Sequence, residues 1–217
     1  MINVNQAEKD GAALNAVDAE IDLGILLELG SIGAGHAATS LSDVLQEQIT
    51  ISVPKIHTLK PHLLPGFYDL HDRATTAIYL HLVDKYGMDI LLTFEETEAK
   101  KIAAMMTMCG SVEELDPAME QSALQELGNI LIGSFLTSMS DFVGVTMLPS
   151  TPQTVTDGFD AILDMFLIKQ SMVSENALVF ETRFMRNGTD AKCILIIFPT
   201  QELKNLLVER SKSMMGI

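Results

Sequence analysis

One 27-residue stretch of this chain occurs twice, 98 positions apart, and that duplication constrains the fold more than any other feature. Residues 28–54 and 126–152 share eleven of 27 positions, against about two for unrelated stretches of ordinary composition. The shared residues are Glu28/Glu126, Leu29/Leu127, Gly30/Gly128, Ile32/Ile130, Gly35/Gly133, Thr39/Thr137, Ser40/Ser138, Ser42/Ser140, Asp43/Asp141, Ser52/Ser150 and Pro54/Pro152. Most have structural readings: Leu and Ile pack, glycines permit close helix contact, the Ser-Asp pair ends a helix, and the prolines fix the start of the loop after the strand. The chain carries a pseudo-dimer within itself.

Each copy opens on a helix. From Ile21 the apolar positions Ile25, Leu26, Leu29, Ile32, Leu41, Val44 and Leu45 keep helical spacing through Gln46. In the second copy Pro117 and the acidic residues before it start a helix that runs through Leu124, Leu127, Ile130, Leu131, Phe135 and Leu136 to about Asp141. Gly24, Gly30, Gly33 and Gly35 each weaken the first helix by up to about 1 kcal/mol relative to Ala, so their concentration predicts close packing against another element. Strands are expected at Ile49–Val53, ending at Pro54, at Thr75–Leu82 and Met88–Phe94 as a hairpin joined near Lys85, and at Val143–Pro149, Asp160–Ser171, Ala177–Met185 and Lys192–Phe198. His57–Phe67, with two prolines, reads as a loop or short irregular turn. Glu95–Met108, closed by Gly110, and Gln201–Ser213 read as helices. Four strands in succession without a helix between them predict an antiparallel sheet and an α+β fold. Residues 1–18, polar and aperiodic, read as a loose tail, which leaves 19–217 as a single domain of two repeats, at about 20–110 and 116–215.

The net charge of -15 argues against nucleic acid or an anionic membrane surface as partner, since both need clustered Lys and Arg. A basic protein surface suits it better. No run approaches the roughly 18 apolar residues of a membrane span, and the N-terminus lacks a basic and apolar leader pattern, so a cytoplasmic protein is expected. Cys109 and Cys193 have no CxxC or Cys/His spacing and read as two buried thiols. His36, His57, His62, His71 and His81 form no metal-binding i, i+4 pair, and the Gly30–Gly35 run follows no strand and carries no Walker lysine. The thirteen methionines, Met105, Met106, Met108, Met214 and Met215 among them, read as core filling.

Glu28 and Glu126 stand apart from the packing residues. Each is a charge beside Leu and Gly, and an exposed helix face accommodates it as readily as a site does. Asn129 tips the balance for the second copy. It is a mediocre helix former placed mid-helix, one turn from Glu126, so that a carboxylate and a carboxamide share a face. An amide donates and accepts at once and can hold and aim a water, while the carboxylate can dock a basic side chain.

The pattern Ser or Asp, three residues, Glu, two residues, Asn, 22 residues and Pro resembles the signature of the CheC/CheX/FliY phosphatases of chemotaxis, and Ser122, Glu126, Asn129 and Pro152 match it at every position. The duplication makes CheC the best match. The resemblance implies a pseudo-twofold α+β unit, with two long motif-bearing helices side by side on one face of a continuous antiparallel sheet. It implies removal of phosphate from phosphorylated CheY, Glu126 pairing with a lysine of CheY and Asn129 positioning the attacking water. It implies no cofactor of its own, the Mg2+ being held by CheY. The first copy departs from the pattern: Gly24 stands where Ser or Asp is expected and Ser31 where Asn is expected, although Glu28 and Pro54 are in place. One competent and one impaired site are expected, in a monomer. The alternative is a non-catalytic adaptor, either binding CheD or acting as a CheY-binding module like the FliM/FliY middle domain.

Overall fold

The computed structural model describes residues 23–71, 73–82, 85–109, 111–170, 176–186 and 189–215. The expected tail and Gly110 lie outside them. Helix α1 (Leu23–Leu45) leads into short strands β1 (Thr50–Ile51) and β2 (Lys55–Leu59), a 3-10 turn (Pro61–Leu63) and helix α2 (Leu64–Tyr68). Strands β3 (Ala74–Leu82) and β4 (Met88–Glu95) form the hairpin, and α3 (Glu96–Met106) closes the first half. The second half follows with α4 (Pro117–Val143), β5 (Gln153–Gly158), α5 (Phe159–Gln170), β6 (Ala177–Arg186), β7 (Thr189–Pro199) and α6 (Gln201–Met215).

The seven strands form one antiparallel sheet in the order β1-β6-β7-β4-β3-β5, with β2 also paired to β6. Exchanging the halves, β2 for β5, β3 for β6 and β4 for β7, reverses that order and leaves the sheet unchanged. Leu91 and Ile196, each five residues before its following helix, are register partners, so the pseudo-twofold axis passes between β4 and β7 at that pair. Each half lends its edge strand to the other: β2 runs along β6, and β5 along β3. Alternate strand residues face opposite ways. Ile78, Leu80, Ile90, Leu92, Leu195 and Ile197 pack under α1, α3, α4 and α6. Leu91, Val179, Ile194 and Ile196 pack under α2 and α5.

Four expectations need correction. Asp160–Ser171 is not a strand: α5 occupies Phe159–Gln170, and Phe159, Ile162, Leu163 and Phe166 are buried at helical spacing. A helix therefore does interrupt the strands, although the sheet is antiparallel. Val143–Pro149 is not a strand either. Val143 ends α4, Gly144 caps it in the left-handed region (φ 71°), and regular pairing resumes only after Pro149 and Pro152, which cannot donate to a ladder. His57–Phe67 is a short turn only over Pro61–Leu63: Lys55–Leu59 pair with β6 before it and the short helix Leu64–Tyr68 follows. Finally, Met108 and Met214 are 80% and 69% exposed, so these two do not fill the core.

Candidate functional site

Asp116 caps α4 by accepting a hydrogen bond from the Ala118 N–H (2.7 Å), and Pro117 occupies the first turn, where its missing donor costs nothing. The helix then buries Leu124, Leu127, Gly128, Ile132, Phe135 and Leu136 against the sheet and α1. This leaves Ser122, Glu126 and Asn129 exposed on the outward face. The Asn129 amide nitrogen donates to Glu126 Oε2 at 3.4 Å, the long end of a hydrogen bond. In α1 Glu28 is likewise exposed. Neither glutamate enters an ion pair among the described residues. Ser31 is not equivalent to Asn129: its hydroxyl turns back on its own helix and donates to the Leu27 carbonyl at 2.6 Å.

The repeated Gly and Pro hold each helix on its sheet. A Cβ on Gly30 would lie 2.9 Å from the Pro54 ring and 3.1 Å from Phe180; one on Gly128 would lie 2.5 Å from Ile78 and 3.4 Å from Pro152. Both prolines are buried. Phe180 and Ile78 come from the half opposite the glycine they touch, so each motif helix is seated on a proline of its own half and a strand of the other. Gly33 extends the contact to α4, where its Cβ would meet Phe135 Cα at 2.9 Å. The repeated serines have a matching role. The Ser52 N–H donates to the Arg183 carbonyl while its hydroxyl accepts from the Arg183 N–H; Ser150 does the same with His81. Each serine thus secures the strand edge two residues before a proline that cannot.

The two helix faces differ in their surroundings. Beneath α1, an apolar cavity of about 60 Å³ is lined by Gly33, Ala34, Ala37, Phe184 and Cys193, where α4 carries the bulkier Leu131, Ile132 and Phe135 at the positions equivalent to the first three. Burial pushes the Cys193 thiol up to about 12, so it stays protonated and unreactive. Cys109 is only partly buried. Beside Glu28 runs a groove of about 300 Å³ between the first half of α1 and the far ends of α4 and α6, lined by Ile25, Ile32, His36, Asp141, Phe142 and Met214. Among the described residues no group of three His, Cys, Asp or Glu is arranged to hold a metal, and no helix is long and apolar enough to cross a membrane.

A family model described as CheC-like matches residues 23–57 and 119–156, which are the two motif helices with their serines and prolines. The protein named CheY-P phosphatase CheC of Bacillus subtilis (strain 168) is 34% identical over 166 residues, covering 75% of this chain and 79% of that one. This chain belongs to the CheC-like family. A second member, named putative CheY-P phosphatase CheC1, of Halobacterium salinarum, is 27% identical over 178 residues, 81% of this chain and 88% of that one. The crystal structure of Thermotoga maritima FliY shares the fold of this CheC-like chain, with a TM-score of 0.69 and 24% identity over 93% of this chain and 98% of that one.

Proposed function

We propose that this CheC-like chain hydrolyses the aspartyl phosphate of a CheY-type response regulator in the cytoplasm. It acts as a monomer of one domain, residues 19–217, through the α4 face, with the α1 face impaired. The observation that carries the reading is the exposed Glu126–Asn129 pair on one turn of α4, with the carboxylate outside any ion pair among the described residues. Relatives named CheY-P phosphatases supply the substrate.

An acyl phosphate is already activated, and the receiver domain carries its own Mg2+, so the phosphatase has to add docking and water orientation. Glu126 takes the ammonium of a lysine beside the phosphorylated aspartate, a charge-assisted contact that fixes the register of the two proteins. The Asn129 amide then holds a water in line with the phosphorus. The water oxygen bonds to phosphorus as the phosphorus–oxygen bond to the aspartyl carboxyl breaks, leaving aspartate and inorganic phosphate, with the water's protons passing to phosphate and solvent. No nucleophile of the phosphatase's own is used. Ser31, shorter than Asn and bonded to Leu27, reaches such a water poorly. The net charge of -15 favours encounter with a basic partner face.

The test is phosphate release from acetyl-phosphate-loaded CheY with and without the chain. Acceleration beyond the intrinsic rate is expected; its absence sinks the phosphatase reading and leaves a module that binds without turnover.

A further inference from the structure

The four repeated glycines divide into two pairs that behave differently. Gly30 and Gly128 are required by internal contacts, at 2.9 and 2.5 Å from their neighbours. Gly35 and Gly133 are not: apart from the backbone of its own helix, a Cβ built on either meets nothing within 4 Å. A mid-helix glycine weakens the helix relative to alanine, yet both copies keep one at this position.

Gly133 follows Glu126 by seven residues and Asn129 by four, which on an α-helix places it within about 20° of the first and 40° of the second around the axis. It is thus at the middle of the outward face. Helical side chains lean toward the N-terminus and cover the turn before their own Cα. A side chain on residue 133 would therefore lie toward Asn129 and occupy the space in front of its amide. Gly35 has the same relation to Ser31 and Glu28.

We propose that Gly133 is a positioning residue for the reaction: it keeps the approach to the Asn129 amide bare, so that the phosphorylated loop of the response regulator can come down against the helix backbone. This inference rests on the phosphatase reading and goes beyond it, because it assigns the constraint on Gly133 to the partner rather than to the fold. It predicts that stability and activity move in opposite directions.

The experiment compares Gly133→Ala and Gly133→Leu with the full chain as it stands, by thermal melting and by steady-state phosphate release from acetyl-phosphate-loaded CheY. Gly133→Ala is expected to melt about 2 °C higher while losing several-fold in kcat/KM through a raised KM. Gly133→Leu, whose side chain reaches the amide, is expected to keep the fold and lose on the order of a hundredfold, with kcat affected as well. A Gly133→Ala melt below that of the unaltered chain would show an internal role and overturn the proposal. So would a Gly133→Leu chain within twofold of unaltered kcat/KM. If the unaltered chain gives no acceleration, the phosphatase reading fails first and takes this inference with it, whereas an active chain indifferent to residue 133 overturns this inference alone.

Discussion

Helices α1 and α4 are built to one plan and diverge where chemistry would occur. Both are seated through a glycine on a buried proline and a strand residue of the opposite half, and both present a glutamate and a bare glycine outward. They differ at two motif positions above, Gly24 against Ser122 and Ser31 against Asn129, and at three positions below. Above, α4 carries the Asn129 amide in contact with Glu126, while α1 carries a serine hydroxyl spent on its own backbone. Below, α4 carries Leu131, Ile132 and Phe135 where α1 carries Gly33, Ala34 and Ala37, and an apolar cavity, walled on the α4 side by Leu131 and Phe135, lies against the smaller residues. Scaffold and outward side chains therefore vary separately: the first helix keeps its seat and its charge and lacks the carboxamide.

The largest expected effect tests that comparison at the amide. Asn129→Ala should cost about a hundredfold in phosphate release, and Ser31→Ala less than twofold; equal losses would mean that the two faces are equivalent after all. Ser31→Asn sharpens the point from the other side. If turnover does not rise, the void beneath α1 or the groove beside Glu28 silences the first face along with the missing amide.

Next in size are the seats. Gly128→Ala should destabilise by about 2 kcal/mol, because its methyl group would press on the Ile78 side chain of a buried strand. Gly30→Ala should cost less, since its nearest contact, the Pro54 ring at 2.9 Å, is less severe than the 2.5 Å to Ile78, and urea midpoints would order the two. Ala34→Val grafts bulk into the void under α1 and should stabilise by about 1 kcal/mol, making the first half more like the second. The smallest effect concerns β2, where His57 stands at the position of Val155 in β5. Burial holds the His57 imidazole below its ordinary pKa of 6.5, with Lys55 and Lys192 adding to this and Glu181 opposing it. The folded state thus binds its proton less readily than the unfolded chain, and its contribution is present above about pH 6.5 and lost as pH falls below that value. His57→Val should flatten this part of the stability profile as pH falls below about 6.5.

Much of this was legible in the residues. The duplication gave two matched helices, and the pair Gly30/Gly128 was read as close helix contact, whereas Pro54/Pro152, read as loop starts, proved to be the seats under those glycines. Runs rich in apolar and β-branched residues found β3, β4, β6 and β7. Sequence reasoning went astray on α5, where Asp160–Ser171 is apolar enough to pass for a buried strand until Phe159, Ile162, Leu163 and Phe166 are seen on one helical face. It also grouped all the glycines as close contacts. Only the fold separates those that touch something from those that touch nothing, because both kinds are the same letter at the same spacing. The matched hydrogen bonds of Ser52 and Ser150 were signalled by identity, but their partners Arg183 and His81 are supplied from the opposite half and share no local pattern.

The lending of edge strands has a consequence in time. Lys55 of β2 finds its partner Glu181 only 126 residues later in the chain, which at synthesis rates of about 5–20 residues per second means a delay of about ten seconds. During synthesis the first half holds a hairpin and a motif helix with its edge strand unmatched, and the first cooperative structure must await β6. Mutations that weaken the last third of the chain should accordingly act on its first third, slowing the burial of β2 and the seating of α1 before any face is ready to meet a partner.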